Sequence, residues 1–319
     1  MKTITSRERE LIVDLVGEGK VSLPAGALEK DIHITEALRY LAQPNRLGID
    51  LIFCGGTSLS KAHGIIDRMS EDLDFKSILP SELSRTTARN LLERYREKLI
   101  SDFRGMGFEV PKGQMVVRDE GRSLVMNLLY QSQFDAVASL RPEIKVEIHV
   151  RTPLLEVQDH SIATIVDREL EQSAEQFTIN CLSAAETLAE KILSFLRNNA
   201  YALANPNDDS LDDQLIRHVY DVLLIYRKQP HLLDELPKGI FKQMAIADGE
   251  QYGRQHIAFL ENPQKELLNA LDAFGGSESA ESLYQQFVNA LVYGAEPVDF
   301  EEARLVFIDL ANQLISRDF

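Results

Sequence analysis

Apolar positions recur at helical spacing near the start of the chain. Ile12, Val13, Leu15 and Val16 mark a first helix. Leu28, Ile32, Ile34, Leu38 and Leu41 form the inward stripe of a second over residues 25–42, closed before Pro44. The texture then changes to short apolar runs broken by turns. Residues 50–54 read as a buried strand ended by Gly55-Gly56, with a helix opening at Thr57 or Ser58. Residues 72–75, 116–119, 123–130 and 143–150 predict further strands, with a long helix over 81–103. Mixed strands with helices between them indicate an α/β or α+β domain, and with the helical remainder of the chain the reading is α+β. Beyond Thr178 the pattern turns helical. Ser183 and Glu186 have the spacing of a capping box, with a helix expected to about Asn199 and another over 211–227. Phe259, Leu268, Leu271, Tyr284, Phe287, Leu291, Val306 and Leu310 continue in helical rhythm. A boundary is therefore expected near residue 175, giving domains 1–175 and 176–319.

Composition narrows the function. The chain has 319 residues, 44% of them hydrophobic, with 34 Lys and Arg against 50 Asp and Glu, a net charge of -16. A protein living on nonspecific nucleic-acid contacts is usually basic, so any such partner must be met at a local basic patch. Cys54 and Cys181 make no disulfide framework and no metal knuckle, and both read as small core residues. The opening Met1-Lys2-Thr3 and the charged run Arg7-Glu8-Arg9-Glu10 do not form a signal peptide. The apolar runs are too short to cross a bilayer, so no membrane partner and a cytoplasmic location are expected.

Three segments carry chemistry. The first is Cys54-Gly55-Gly56-Thr57-Ser58, with Lys61 a turn further on, where a strand passes through glycines into a helix. Glycines let a ligand approach the backbone, and free amides at a helix start favour phosphate. Second, Asp72 and Asp74 lie two apart on a strand, so both face one side while Leu73 and Phe75 face the core. Third, the strand 143–150 alternates cleanly and carries Glu147 centrally on its polar face. Each part alone has a bland explanation: an ordinary strand–turn–helix junction, a solvated acidic edge, a solvent-facing strand side. Together they suit two metal ions that grip a triphosphate and stabilise departing pyrophosphate. His63, His149 and His218 lack metal-ligand spacing and read as bystanders.

Gly55-Gly56-Thr57 with Leu59, then Arg68 and Ser70-Glu71-Asp72-Leu73-Asp74, resembles the signature of the AbiEii/AbiGii toxin family, within the DNA polymerase β-like nucleotidyltransferases. Lys30-Asp31 resembles the family's early K-D. Glu147 falls where its third acid sits, although Asp is commoner there. The run from Ala185 to Lys191 resembles a helical element ending in a catalytic Lys, and Arg217-His218-Val219-Tyr220-Asp221 its R-x-x-x-D element. The resemblance spans about residues 30–225 and is weak beyond.

It implies a polymerase β-like core, a mixed sheet flanked by helices, with a helical C-terminal domain completing an NTP cleft. It implies catalytic roles for Asp72, Asp74, Glu147, Lys191 and Asp221, with Mg2+ (or Mn2+) on the first three. Nucleotide contacts are expected from Gly55, Gly56, Thr57, Ser58, Lys61 and Arg68. The implied activity is that of a toxin adding nucleotides from NTP to tRNA 3′ ends, with an antitoxin encoded nearby. Side-chain readings compete at two positions: Lys191, on the inward stripe of its helix, could snorkel, and Asp221 could form a salt bridge with Arg217. Transfer to protein side chains or a small molecule, and a non-catalytic partner-binding relative, are the alternatives.

Overall fold

The computed structural model describes residues 1–45, 47–137, 140–170, 176–206, 208, 213–253, 255–294 and 298–319. The chain divides into two compact units, Met1–Gly64 with Arg68–Leu182, and Ile65–Asp67 with Ser183–Phe319. The expected boundary at residue 175 lies outside the described residues.

The first unit is built on one mixed seven-stranded sheet. Its elements are α1 (Ser6–Gly17), α2 (Ala25–Leu41), β1 (Asp50–Cys54), α3 (Gly55–Lys61), β2 (Asp72–Ile78) and α4 (Arg85–Gly105), then β3 (Val116–Arg118), β4 (Ser123–Leu129), β5 (Glu143–Val150), β6 (Gln158–Ile162), α5 (Ile165–Glu169) and β7 (Phe177–Cys181). The strand order is β3-β4-β5-β2-β1-β7-β6. β2 runs antiparallel to β1 but parallel to β5, which sets Asp74 beside Glu147 and Asp72 beside Lys145. Strict alternation buries Leu124, Met126, Leu128, Ile144, Val146 and Ile148 on one face of β4 and β5. Phe53 of β1 and Phe75 of β2 extend this core, their ring centroids 5.3 Å apart.

The five inward positions expected of α2 are all buried. α1 packs through Ile12 and Leu15 against Leu28, Ile32 and Val166, whereas Val13 and Val16 are exposed. α4 starts at Arg85 rather than 81, because the Ser84 hydroxyl accepts from the Thr87 amide and caps it there. β7 falls where a strand is expected just before Cys181, whereas β6 has no counterpart among the expected strands.

The second unit contains α6 (Ala184–Ala204), α7 (Arg217–Lys228), α8 (Leu232–Glu235), α9 (Ile240–Tyr252), α10 (Ile257–Glu261), α11 (Pro263–Gly275), α12 (Glu278–Leu291) and α13 (Phe300–Asp318). Ser183 caps α6 by accepting from the Glu186 amide. A 3-10 turn over Asp213–Ile216 leads into α7, and the expected start of that helix at 211 lies outside the described residues. Phe195, Phe274 and Phe307 pack edge to face at 4.8 to 5.5 Å and form the aromatic centre of this unit. Among the described residues no helix is long and apolar enough to cross a membrane.

Candidate active site

The site starts where β1 gives way to α3. Gly55 has φ +76°, a left-handed conformation that a side chain resists. A Cβ there would overlap the Asp74 carboxylate, so the glycine lets strand and acid meet. A Cβ on Gly56 would fall 2.6 Å from Arg68 Nη2 and 2.9 Å from Ser70 Oγ. Thr57 Oγ1 donates to the Asp72 carbonyl at 2.5 Å and lies 2.9 Å from Ser70 Oγ. The G-G-T and S-E-D segments thus form one clasp that sets the start of β2. Thr57 and Ser58 are buried, with the Ser58 hydroxyl near the Cys181 thiol.

Asp72 and Asp74 lie on the half-exposed side of β2, as their spacing predicts. Glu147 sits on the adjoining strand in register with Asp74. The three carboxylates therefore share one face of two neighbouring strands, whose backbones lie about 5 Å apart. Basic side chains already engage them. Arg141 Nη1 donates to Asp72 Oδ1 at 2.9 Å. Lys145 pairs with Glu147, and His149 Nε2 lies 3.4 Å from the same carboxylate. Burial alone would raise the Glu147 pKa, but the hydrogen bonds from His149 and Lys145 outweigh it and draw the group down to about 2. Lys145 is raised in turn: burial lowers it, and the Glu147 contact more than compensates.

Two buried ion pairs support this face from α2. Lys30 pairs with Glu71 and donates to the Arg141 carbonyl at 2.6 Å, while Glu71 accepts from the Arg141 amide at 2.9 Å. Burial pulls Lys30 below its usual pKa despite that partner. Asp31 accepts from Lys61 Nζ at 2.5 Å and from the Ile165 amide at 2.7 Å. Lys61, expected to face phosphate, sits instead in this buried pair between α3 and α2. Arg68 is 3% exposed, with Nη1 donating to the Met69 carbonyl at 3.1 Å. Sequence reasoning missed Arg141 and Lys145. The signal for both was a basic residue beside the third-acid strand, which only the β2–β5 register connects to Asp72.

The residues expected in the second unit also meet. Lys191 Nζ lies 2.6 Å from Asp221 Oδ2, and Asp221 is fully buried. The described ion pair of Asp221 is with Lys191 on α6.

The acids suit a hard divalent cation in donor type, oxygen ligands on a shared face. Among the described residues no group of three His, Cys, Asp or Glu is gathered closely enough to hold one in this arrangement. The fit is therefore one of chemistry and register.

A glycine turn closed against an aspartate, two aspartates on the next strand and a third acid in register beside them define the class, a nucleotidyltransferase fold. A family model described as "Nucleotidyl transferase AbiEii toxin, Type IV TA system" matches residues 37–305. The chain belongs to that family of nucleotidyltransferase toxins, and membership implies an antitoxin partner. Solved structures to which the chain is similar include JHP933 from Helicobacter pylori, at 13% identity, TM-score 0.43, with 91% of this chain and 94% of that one covered. MenT4, a nucleotidyltransferase toxin from Mycobacterium tuberculosis, is 17% identical, TM-score 0.40, with 97% and 98% covered. A nucleotidyltransferase described as putative, from H. pylori, is 14% identical, TM-score 0.44, with 91% and 96% covered. No curated protein sequence matches the chain.

Proposed function

We propose that the chain transfers a nucleoside monophosphate from an NTP to the 3′ hydroxyl of an RNA, with tRNA as the acceptor, and so blocks translation until its antitoxin neutralises it. The observation that carries this reading is the in-register placement of Asp72, Asp74 and Glu147 beside the Gly55-Gly56 turn. Asp72, Asp74 and Glu147 would hold Mg2+ or Mn2+. The cation would supply charge neutralisation at the triphosphate and a lowered pKa for the attacking hydroxyl.

The chain's own residues divide the remaining work. The Gly55-Gly56 turn leaves its backbone open to a phosphate, with the family resemblance adding Thr57 and Ser58 through their amides. Arg141, one-third exposed and already on Asp72, has the reach to turn its fork toward a phosphate oxygen. Glu147, with a pKa near 2, is a weak proton acceptor at neutral pH. Its role is that of a fixed negative charge that would hold the cation, and the proton of the attacking hydroxyl would pass to solvent water as pyrophosphate leaves. Lys61 and Arg68 act by holding the clasp that aims the two aspartates, and Lys191 keeps its charge against Asp221.

The test is incubation of the purified protein with tRNA, magnesium and each labelled NTP in turn, beside the Asp72→Ala/Asp74→Ala variant. Label on tRNA that disappears in the variant is the expected result. Label on the protein itself or on a small molecule would move the reading to those acceptors. A wild type that transfers nothing would leave a partner-binding relative.

A further inference from the structure

The face that carries the acids does not end at β5. Glu147 is in register with Val125 of β4, and Val125 with Val116 of β3, so Asp74, Glu147, Val125 and Val116 form one row across four strands. One step along, His149, Ser123 and Arg118 form a parallel row. At about 4.8 Å per strand the row from Asp74 to Val116 is about 14 Å long. Its outer members stay open: Val116 is 41% exposed, and Val125, Ser123 and His149 are half-buried. β3 is the edge of the sheet.

Beyond that edge the charge changes sign. Residues 85–122 hold nine Lys and Arg against six Asp and Glu, a surplus of three positive charges in a chain of net charge -16. Round the β3 edge, on the opposite face of the sheet where α4 packs, a groove of about 380 Å³ runs between α4 and the turn after β3, with Arg89, Arg96 and Arg118 among its walls. Two of its acids are already engaged, Glu120 by Arg85 and Glu93 by Arg96. Arg89 and Arg118 of the walls, and Arg122 beside them, are exposed and form no close ion pair among the described residues. The remaining carboxylate of the walls is Asp119.

We propose that this open strip, from Glu147 across Val125 and Val116 to Arg118 and the arginine groove, is the docking surface for the phosphodiester backbone of the RNA acceptor. The inference rests on the nucleotidyl-transfer reading and gives its acceptor a path. A 3′ end would lie at the acids. The preceding bases would lie on the apolar Val125 and Val116, with polar contacts to Ser123 and His149. The upstream phosphates would reach guanidinium forks, which match phosphate geometry better than ammonium groups do. Charge complementarity favours this occupant, because the positive surplus sits at the end of the strip that leads away from the acids. A small-molecule acceptor would use none of it.

The experiment compares the wild type with Arg89→Ala/Arg118→Ala/Arg122→Ala, whose three side chains are exposed and form no close ion pair among the described residues, with the melting temperature of each protein recorded to show that folding is kept. A fluorescent single-stranded RNA with a free 3′ end is titrated by anisotropy over a range of salt. In parallel the KM for RNA in labelled-NTP transfer and the melting shift with magnesium-NTP are recorded. The variant should bind RNA about tenfold more weakly. Its log K against log salt slope should be shallower by about 2, as three lost phosphate contacts require on a single strand. The magnesium-NTP shift should not move. RNA affinity and salt slope equal to wild type would overturn the docking surface. If transfer to RNA persists with unchanged KM in the variant, the surface fails and the transfer reading stands. If RNA binds through these arginines but no nucleotide is transferred, the surface stands and the transfer reading fails.

Discussion

Replacing Gly55 with alanine isolates what the glycine turn contributes. Gly55 has φ +76°, and an added methyl would overlap the Asp74 carboxylate, with the Asp74 Cγ and Cβ only 3.0 and 3.1 Å away. Rotating the carboxylate alone does not clear such an overlap. The whole Asp74 side chain, or the turn, must shift. Gly64 supplies the control: it has φ +62°, and a methyl added there would meet nothing within 4 Å. A non-glycine residue in the left-handed region costs about 1 kcal/mol. Gly64→Ala should therefore lose about 1 kcal/mol and keep its function. Gly55→Ala should lose the same plus the cost of moving Asp74, about 2 to 3 kcal/mol in all. A misplacement of about 1 Å at a reacting centre slows catalysis on the order of 100-fold. Urea unfolding gives the two stabilities, and nucleotide transfer to RNA gives the two rates. The melting shift with magnesium-NTP reports the site without requiring turnover. The reasoning is refuted if Gly55→Ala folds and transfers as fast as Gly64→Ala, because Asp74 would then not depend on the turn.

Three further outcomes follow from the buried charges. Asp221→Ala removes the carboxylate paired with the Lys191 ammonium, which is 7% exposed, and should cost about 3 to 5 kcal/mol. Lys191→Met/Asp221→Leu should recover most of that in urea midpoint, and a loss below about 1 kcal/mol for the single variant would refute a buried pair. Lys61→Met leaves Asp31 without its cation and should lower stability by a similar amount, about 3 to 5 kcal/mol, while the KM for NTP stays unchanged; a raised KM at intact stability would return Lys61 to phosphate binding. His63 is held down to about 4 by burial and then by His160, whose ring centroid is 4.2 Å away, with the Leu182 carbonyl as its hydrogen-bond partner. Because that value lies below the unfolded one, its contribution is complete above about pH 6.5 and is lost as pH falls toward about 4. Between about pH 7.5 and about pH 5 the wild type should lose about 2 kcal/mol that His63→Gln does not lose, read from paired urea midpoints.

Much of the site was legible because it depends on local periodicity. Asp72 and Asp74 had to share a face once residues 72–75 read as a strand, and Glu147 likewise on β5. The family resemblance pointed to Glu147 as the third acid, but the parallel β2–β5 pairing that sets it beside Asp74 was not legible, since strand neighbours are not written in alternation. β6 was invisible for the same reason in reverse. Gln158-Asp159-His160-Ser161-Ile162 has no apolar rhythm, and it is held as an edge strand by its ladder to β7. The charged motif residues divide along the same line. Lys30 stands out in the sequence only through its motif, while Lys61 and Lys191 look like cations waiting for a phosphate. Their partners, Glu71, Asp31 and Asp221, lie at least 30 residues away, and only tertiary structure reveals them. A lysine on an inward helical stripe must meet an anion when it folds, and the fold already contains one for each. Arg141, which sequence reasoning passed over, is like Lys145 a basic residue whose carboxylate partner is itself a proposed ligand. Conserving the charge with Arg141→Lys should therefore raise the KM for NTP while stability stays near wild type, since an ammonium cannot keep a bidentate fork on phosphate. An unchanged KM would confine Arg141 to holding Asp72.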